Sequence, residues 1–344
     1  MDWFERITGF REGSYASTRA RLAIEGDALI SRGHGRRHGV GRLELPTLDD
    51  LRQRVPQTRR QRSTVRCMAA DARALHAQPG LAGALFQVAS QFNLLEMVSP
   101  DIGPEDGVTR YQHDRTQGPA CAMAAGAATV YRNYFAPVGG GHGQTALRQI
   151  DVLAPLGEAL SARLGVPVAA LWTMRNGYAL CTAEGLARIA RWLDAADEAD
   201  RDALRGRLAI GLHRDVEVTD VEGPHPPRVS QAFCSALPVA YSAVPPTAWA
   251  PFARLVLEAA YEATLLAASE QLAAGGSGTV LLTRLGGGAF GNDESWIDDA
   301  MARALKLVEH AGLDVRLVSY GSVHPSMRVL AQRWVEAPVP LIKD

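Results

Sequence analysis

The stretch that most constrains the fold is residues 279–321, TVLLTRLGGGAFGNDESWIDDAMARALKLVEHAGLDVRLVSYG. It begins with a short apolar run that is typical of a buried strand, and three consecutive glycines follow. A helix comes next, because Trp296, Ala300 and Ala304 recur at four-residue spacing. A second strand is predicted over 314–320. A strand, a glycine loop and a helix N-terminus bring free backbone N–H groups together, which is how many proteins bind phosphate.

This glycine loop allows more than one interpretation. The spacing of Gly286, Gly288 and Gly291 satisfies the G-x-G-x-x-G pattern of dinucleotide sites. However, the next strand ends at Ser319 and Tyr320, with no acid to bind a ribose 2′-hydroxyl. A Walker A loop is excluded because no Gly-Lys-Ser/Thr completes it. A plain βα turn is the remaining alternative, but three glycines in a row followed by a Phe between small residues favour a phosphate nest.

Composition limits the classes of partner. The formal net charge of −1 provides no bulk attraction to nucleic acid or to a membrane surface, so neither is expected as a partner. The four cysteines are far apart, which predicts reduced thiols and no metal site. No long apolar run and no signal peptide are recognisable, so we expect a cytoplasmic protein. No cofactor is expected.

The first 75 residues differ in character from the rest. They are rich in arginine, which is compatible with a phosphate or nucleic-acid surface. Aromatic residues are not interleaved with these arginines, so solvated arginines in ion pairs are the favoured interpretation. We therefore predict an accessory segment over 1–75 and an α/β domain over 76–344.

The domain itself begins with a predicted strand over 84–90 that ends at Asn93. A polar loop over 99–115 leads to a helix of small residues over 120–134, for which Thr116 is a plausible N-cap. Further strands are predicted near 168–174, 179–182, 207–213 and 228–234, with an Asn176-Gly177 hairpin turn and a long helix over 251–274. The sum predicts a three-layer α/β/α fold around a mixed sheet.

Several acids lie on the polar loop: Asp101, Glu105, Asp106 and Asp114. If the strand near 279 is the neighbour of the strand near 85, this loop faces the glycine loop across one cleft. A carboxylate beside a bound diphosphate sugar could then orient water at the ribose C1″. The alternative is that these acids are simply solvated.

The order of these features resembles that of macrodomains, over about residues 80–325. In that family the late glycine-aromatic-glycine loop binds the diphosphate of ADP-ribose, and the earlier Asn lies near the distal ribose. The resemblance implies that Asn93 contacts the distal ribose. It further implies that diphosphate and ribose are bound by Gly286, Gly287, Gly288, Ala289, Phe290, Gly291 and Asn292.

The acidic loop and the arginine-rich extension are most similar to divergent macrodomains of the MavL type, which remove ADP-ribose from modified ubiquitin arginine. That resemblance points to Asp106 and Asp114 as catalytic. We further hypothesise that Gln117 orients the distal ribose together with Asn93, and that Gly118 is a ligand-binding residue. The glutamate pair of poly(ADP-ribose) glycohydrolases and the usual Asn-Ala-Ala-Asn signature are absent. The expected activity is an ADP-ribosylhydrolase acting on an ADP-ribosylated protein. A non-catalytic ADP-ribose reader and a nicotinamide-dependent oxidoreductase are the alternatives.

Overall fold

The computed structural model describes residues 1–56 and 60–336. Its helices are α1 (Trp3–Thr8), α2 (Tyr15–Ala20), α3 (Leu48–Arg54), α4 (Ala72–His76), α5 (Gln117–Ala124), α6 (Gly126–Tyr134), α7 (Ala154–Leu164), α8 (Ala183–Ala195), α9 (Glu198–Arg205), α10 (Pro246–Ala273), α11 (Glu294–Leu307) and α12 (Pro325–Glu336). Its strands are β1 (Leu22–Glu25), β2 (Ala28–Ser31), β3 (Arg37–Gly39), β4 (Arg42–Glu44), β5 (Thr64–Ala69), β6 (Leu85–Ala89), β7 (Pro137–Val138), β8 (Gly141–His142), β9 (Trp172–Arg175), β10 (Tyr178–Cys181), β11 (Gly211–Glu217), β12 (Arg228–Cys234), β13 (Thr279–Leu282) and β14 (Asp314–Ser319).

Seven of these strands form the central sheet, in the order β4-β11-β12-β6-β13-β14-β5. The five strands from β12 to β5 are parallel to one another, while β11 and β4 are antiparallel to their neighbours. The predicted mixed sheet is therefore confirmed. The neighbours β6 and β13 bring the ends of the two site-bearing strands together, as the cleft hypothesis requires.

Helices cover both faces of this sheet. On β6, the side chain of Gln87 donates to the hydroxyl of Thr264 on α10 at 3.0 Å. The adjacent Phe86 instead stacks on His76 of α4, with ring centroids 3.8 Å apart. Successive side chains of a strand point to opposite faces, so α10 and α4 lie on opposite sides. This confirms three α/β/α layers.

Small residues allow the helices of one layer to approach the sheet closely. In α5 and α6 the buried positions include Cys121, Ala124 and Ala128, none of which is exposed to solvent. Side chains of this size leave no room for added atoms, and an extra methylene in such a core costs about 1–3 kcal/mol. The tight packing fixes where α5 begins, and that start forms one wall of the site.

Two strands of the predicted N-terminal segment belong to the central sheet. Strand β4 pairs with β11 in the register Leu43↔His213, and β5 pairs with β14 in the register Val65↔Val315. Both edges of the sheet thus come from residues that the sequence analysis assigned to an accessory segment. Neither pairing leaves a local sequence signal, because each partner strand lies more than 150 residues away in the chain.

The first 40 residues pack over the loop that follows β6 and over α6. Trp3 donates its indole N–H to the carbonyl of Thr109 at 3.2 Å. The carboxylate of Glu12 accepts from the N–H groups of Val108 and Thr109 at 2.9 and 2.7 Å. It also accepts from the hydroxyl of Tyr134 at 2.7 Å. We call Trp3 and Glu12 the N-terminal clamp, because they hold the backbone of residues 108–109 in place.

The arginines of this part of the chain are largely in ion pairs. Arg52 pairs with Glu262 at 2.7 Å and with Asp202 at 2.8 Å, and Arg66 pairs with Asp314 at 2.8 Å. The interpretation of these side chains as paired arginines is confirmed for these positions. Among the helices that the structure describes, none has the length and apolar character needed to cross a membrane.

Candidate functional site

The site lies where two parallel strands separate. Strands β6 and β13 pair only through Val280↔Leu85 and Leu281↔Phe86, and then diverge towards their carboxyl ends. The side chain of Gln117, at the start of α5, fills the opening. Its Oε1 accepts from the N–H of Ala89 at 2.9 Å and its Nε2 donates to the carbonyl of Gln87 at 2.8 Å. Gln117 thus satisfies backbone groups that a neighbouring strand would otherwise satisfy, and a cleft opens beside it.

The glycine loop forms one wall of this cleft and closes on itself. Asn292 donates its N–H to the carbonyl of Gly286 at 3.0 Å, and Gly291 donates to the carbonyl of Gly288 at 3.0 Å. Gly286 and Gly291 have φ values of +74° and +69°. A side chain at Gly286 would also meet Ala236 at 2.4 Å. Glycine is required at these two positions for the loop to close.

The apex of the loop presents backbone donors to the cleft. No described residue accepts a hydrogen bond from the N–H of Gly288, Ala289 or Phe290. Three consecutive free N–H groups beside a cleft form the concave donor set that binds anions. The helix that follows is capped by Asp293, whose carboxylate accepts from Ser295 N–H at 2.8 Å. The anion-binding capacity therefore belongs to the loop apex, since the end of α11 already has its own carboxylate.

Asp114 lies on the opposite wall, at the end of a 3-10 turn over Thr109–His113. One of its carboxylate oxygens accepts from the N–H and the hydroxyl of Thr116 at 2.8 and 2.7 Å, and this fixes the side chain. The other oxygen accepts no hydrogen bond from the described part of the chain. Arg110 lines the same wall, and its Nη1 is buried without an acceptor among the described residues. The wall thus combines an oriented carboxylate with a cationic donor.

Glu96 lies at the floor of the cleft, below the start of α5. Its side chain is 1% exposed, and neither carboxyl oxygen has a hydrogen-bond partner among the described residues. Burial raises the pKa of Glu96 to about 8, although the guanidinium of Arg132 at 3.6 Å opposes the shift. The guanidinium is also buried and already donates to the carbonyl of Leu94 and the hydroxyl of Thr129. The carboxyl is therefore mostly protonated at neutral pH.

Three aromatic rings form the remaining side. Tyr178, Tyr241 and Phe290 have ring centroids 5.1 to 5.6 Å apart. The hydroxyl of Tyr178 donates to the carbonyl of Met97 at 2.6 Å, so this ring is held rigidly. Burial raises the pKa of Tyr178 above its ordinary range. A rigid aromatic surface of this kind suits a sugar or a base.

The cleft has two lobes of about 620 and 740 Å³. Six residues line both lobes and therefore lie between them: Asp114, Arg115, Gln117, Thr283, Arg284 and Gly288. Glu96 and the aromatic rings line the first lobe, whereas the second extends to the ends of β14 and α4. Each volume falls within the range of roughly 300–1,000 Å³ that is usual for small-molecule sites. Gly288, at the apex of the glycine loop, thus lies where the two lobes meet.

The structure brings together most of the predicted site residues. The cleft is lined by Asp114, Gln117, Gly118, Gly286, Gly287, Gly288, Ala289 and Phe290. For Gln117 the predicted role in orienting a ribose is not supported, because both ends of its amide bind the backbone of β6. Gly118 is glycine for a packing reason, since a side chain there would lie 2.0 Å from the carbonyl oxygen of Ala89.

Four predicted residues do not line the cleft. Asn93 is fully buried, and its side chain binds Gln149 and the N–H of Leu95, so it belongs to the scaffold. Asp106 accepts from the N–H of Gly103 at 2.8 Å and lines neither lobe. Asn292 is buried and donates to the carbonyl of Leu237 at 2.8 Å. Gly291 has a turn-forming role, as described above.

Sequence reasoning missed Glu96, Arg110, Tyr178 and Tyr241. Only Glu96 leaves a local signal, because it is a single acid within the apolar run Leu94-Leu95-Glu96-Met97-Val98. An acid in such a run is buried with its neighbours and is unusual for that reason. The other three residues reach the cleft only through tertiary contacts.

No protein-family model and no curated protein sequence matches the chain. Among solved structures, the poly(ADP-ribose) glycohydrolase of Thermomonospora curvata is similar at 12% identity and a TM-score of 0.46, over 93% of this chain and 97% of that one. The same enzyme bound to the inhibitor ADP-HPD gives 13% identity and a TM-score of 0.43, over 93% and 97%. The enzyme of Deinococcus radiodurans in complex with ADP-ribose gives 14% and 0.42, over 96% and 100%. At these values the function has to be inferred from the cleft itself.

Proposed function

We propose that the protein is an ADP-ribosylhydrolase that removes ADP-ribose from a modified protein. The observation that carries the proposal is the run of three free N–H groups at Gly288, Ala289 and Phe290, which begins where the two lobes of the cleft meet, together with the carboxylate of Asp114, which lines both lobes. A ligand with a central diphosphate and a sugar at each end matches that arrangement. ADP-ribose has this form.

In this proposal the diphosphate lies on the loop apex, and one ribose occupies each lobe. The distal ribose takes the first lobe, because that lobe contains Glu96 and the aromatic rings. The free oxygen of Asp114 accepts a hydrogen bond from a water and directs it at the ribose C1″. Thr116 holds the other oxygen, so the carboxylate need not reorganise during the reaction.

The finer parts of the proposal concern the substrate. An arginine-linked ADP-ribose, as on ubiquitin, is the first linkage to test, with serine and glutamate linkages beside it. The proposed compartment is the cytoplasm, and neither nucleic acid nor a membrane is proposed as a partner.

Calorimetry with ligands of increasing length tests the binding part. If ADP-ribose spans both lobes, ADP and ribose 5-phosphate should each bind at least about tenfold more weakly than ADP-ribose, since each fills one lobe and part of the apex. Equal affinity for ADP and ADP-ribose would contradict a two-lobed site. An absence of ADP-ribose binding would refute the proposed function.

Turnover is tested on proteins ADP-ribosylated at arginine, serine or glutamate, with release of free ADP-ribose as the readout. Release from at least one linkage is expected, and it should be lost in Asp114→Asn. Binding of ADP-ribose without release from any of the three would instead identify a reader domain.

A further inference from the structure

Glu96 is a buried polar group that the fold leaves unused. Within the described residues, neither of its carboxyl oxygens accepts or donates a hydrogen bond, although the side chain lines the cleft. A buried polar group without a partner is costly, and native proteins keep few of them. The unsatisfied group is at the floor of the first lobe, where a ligand could provide the missing partner.

The surroundings favour a neutral carboxyl. The groups that face Glu96 are Arg132 from α6, Tyr111 and Asp114 from the preceding loop, and Cys121 from α5. Arg132 is the only one of these that carries a positive charge, and its contact of 3.6 Å is too long for a good hydrogen bond. Its guanidinium lies over the ring of Phe233 at 3.8 Å and donates to other acceptors. Desolvation therefore outweighs the two effects that lower the pKa of Glu96, the charge of Arg132 and the hydroxyl of Tyr111.

Glu96 and Asp114 then have different environments in one cleft. Asp114 is half-buried and has a fixed, oriented oxygen, whereas Glu96 is enclosed and uncharged. An enclosed, protonated carboxyl in the same cleft as an oriented carboxyl with a free oxygen is placed to act as a proton donor.

We propose that Glu96 is the proton donor of this site and protonates the leaving group of the bond to the ribose C1″. The inference rests on the proposed function. The bond from C1″ to the leaving atom breaks, and the leaving atom takes its proton from the Glu96 carboxyl. The water oxygen bonds to C1″ and gives a proton to Asp114. Exchange with solvent returns both carboxyl groups to their starting states, so no co-reactant other than water is needed.

The first test is the turnover of Glu96→Gln. Gln has the same shape and is neutral like the protonated acid, so ADP-ribose should bind within a few-fold of the wild-type affinity. Turnover should fall by about 10²- to 10⁴-fold, because a general acid contributes that much. Glu105→Gln is the matched control. Glu105 is exposed on the same loop and does not line the cleft, so this control should turn over at the wild-type rate.

The pH profile separates a proton donor from a merely structural residue. Wild-type turnover should decline as pH rises through about 8, where the Glu96 carboxyl loses its proton. Glu96→Asp retains a proton donor, so it should keep a decline at alkaline pH with a reduced rate. If Glu96→Gln folds poorly, the pH profile of Glu96→Asp still tests the proposal.

Unfolding experiments test the protonation state without any substrate. A carboxyl whose pKa is raised on folding binds more protons when folded, so its contribution to stability is lost as pH rises from about 4.5 to about 8. The stability of Glu96→Gln relative to wild type should therefore increase over that range. A constant difference would show that Glu96 is ionised in the folded protein, and this would overturn the inference.

The failures of the two proposals are distinguishable. Wild-type protein that neither binds ADP-ribose nor releases it would refute the proposed function, and the proton-donor assignment with it. Wild-type turnover that survives unchanged in Glu96→Gln would overturn only the assignment of Glu96.

Discussion

The apex of the glycine loop allows a substitution that changes charge without changing the fold. A Cβ added at Gly288 would meet no atom within 4 Å, and the residue is exposed. Gly288 does not have the left-handed backbone of Gly286 and Gly291, so larger residues fit it without strain. Gly288→Glu should therefore fold normally and place a carboxylate beside the three free N–H groups.

The size of the effect follows from the geometry. A carboxylate about 5 Å from one phosphate charge is repelled by about 1 kcal/mol in water and by about 3 kcal/mol at an effective dielectric constant of 20. The apex is at the rim of the cleft, so a value between these limits applies to each phosphate charge. A total cost of about 2–3 kcal/mol corresponds to a loss of affinity for ADP-ribose of about 30- to 150-fold.

Calorimetric titration with ADP-ribose measures this loss, with melting temperatures to confirm folding. Gly288→Gln has the same length without the charge and should lose only a few-fold. Gly80→Glu adds the same charge at another exposed, open glycine outside the cleft and should have no effect. Because surface repulsion is screened by salt, the penalty of Gly288→Glu should shrink at high ionic strength. Equal affinity in Gly288→Glu and wild type would refute diphosphate binding at the apex.

Three further predictions concern single side chains. Asp114→Asn should reduce turnover by at least about 100-fold with little change in ADP-ribose affinity, whereas Asp106→Asn should change neither. The reverse result would make Asp106, and not Asp114, the carboxylate that directs the water. Glu12→Gln leaves one buried N–H of residues 108–109 without an acceptor. The free energy of unfolding measured in urea should therefore fall by about 1–3 kcal/mol, and turnover should fall as well. If neither value changes, the N-terminal clamp is dispensable. Burial lowers the pKa of His76 to about 4, so its contribution to stability is lost as pH falls from about 6.5 to 4. The free energy of unfolding of His76→Asn should lack this pH dependence. Identical dependence in the variant and the wild type would contradict the prediction.

The turns, helix caps and short strand–loop–helix units of this fold could be predicted from the sequence. The strand, glycine loop and helix over 279–307 follow from glycine conformation and helical periodicity, and the structure confirms the strand and the helix. The Asn176-Gly177 turn joins β9 and β10, with both residues at positive φ. Thr47 caps α3 through a full capping box. Each of these signals lies within a few residues of the structure it specifies.

The parts that could not be predicted depend on distant contacts. Asn93 and Gln117 have side chains that suit a ligand, yet the scaffold uses their hydrogen-bonding groups. Asp106 and Asp114 lie eight residues apart on one polar loop, and only the path of the backbone determines which of them faces the cleft. The neutral state of Glu96 depends on its burial under α5, which no local pattern reports.

The pairing of the two edge strands also determines when the chain can fold during its synthesis. Residues 42–44 and 64–69 leave the ribosome early, but their partner strands end at Glu217 and Ser319. Until those residues emerge, the nascent chain carries β-strands with unpaired N–H and C=O groups, which are prone to aggregate. The sheet closes only when nearly the whole domain has been translated. A chain interrupted before β14 would keep β5 without its partner and would be a substrate for chaperones and proteases.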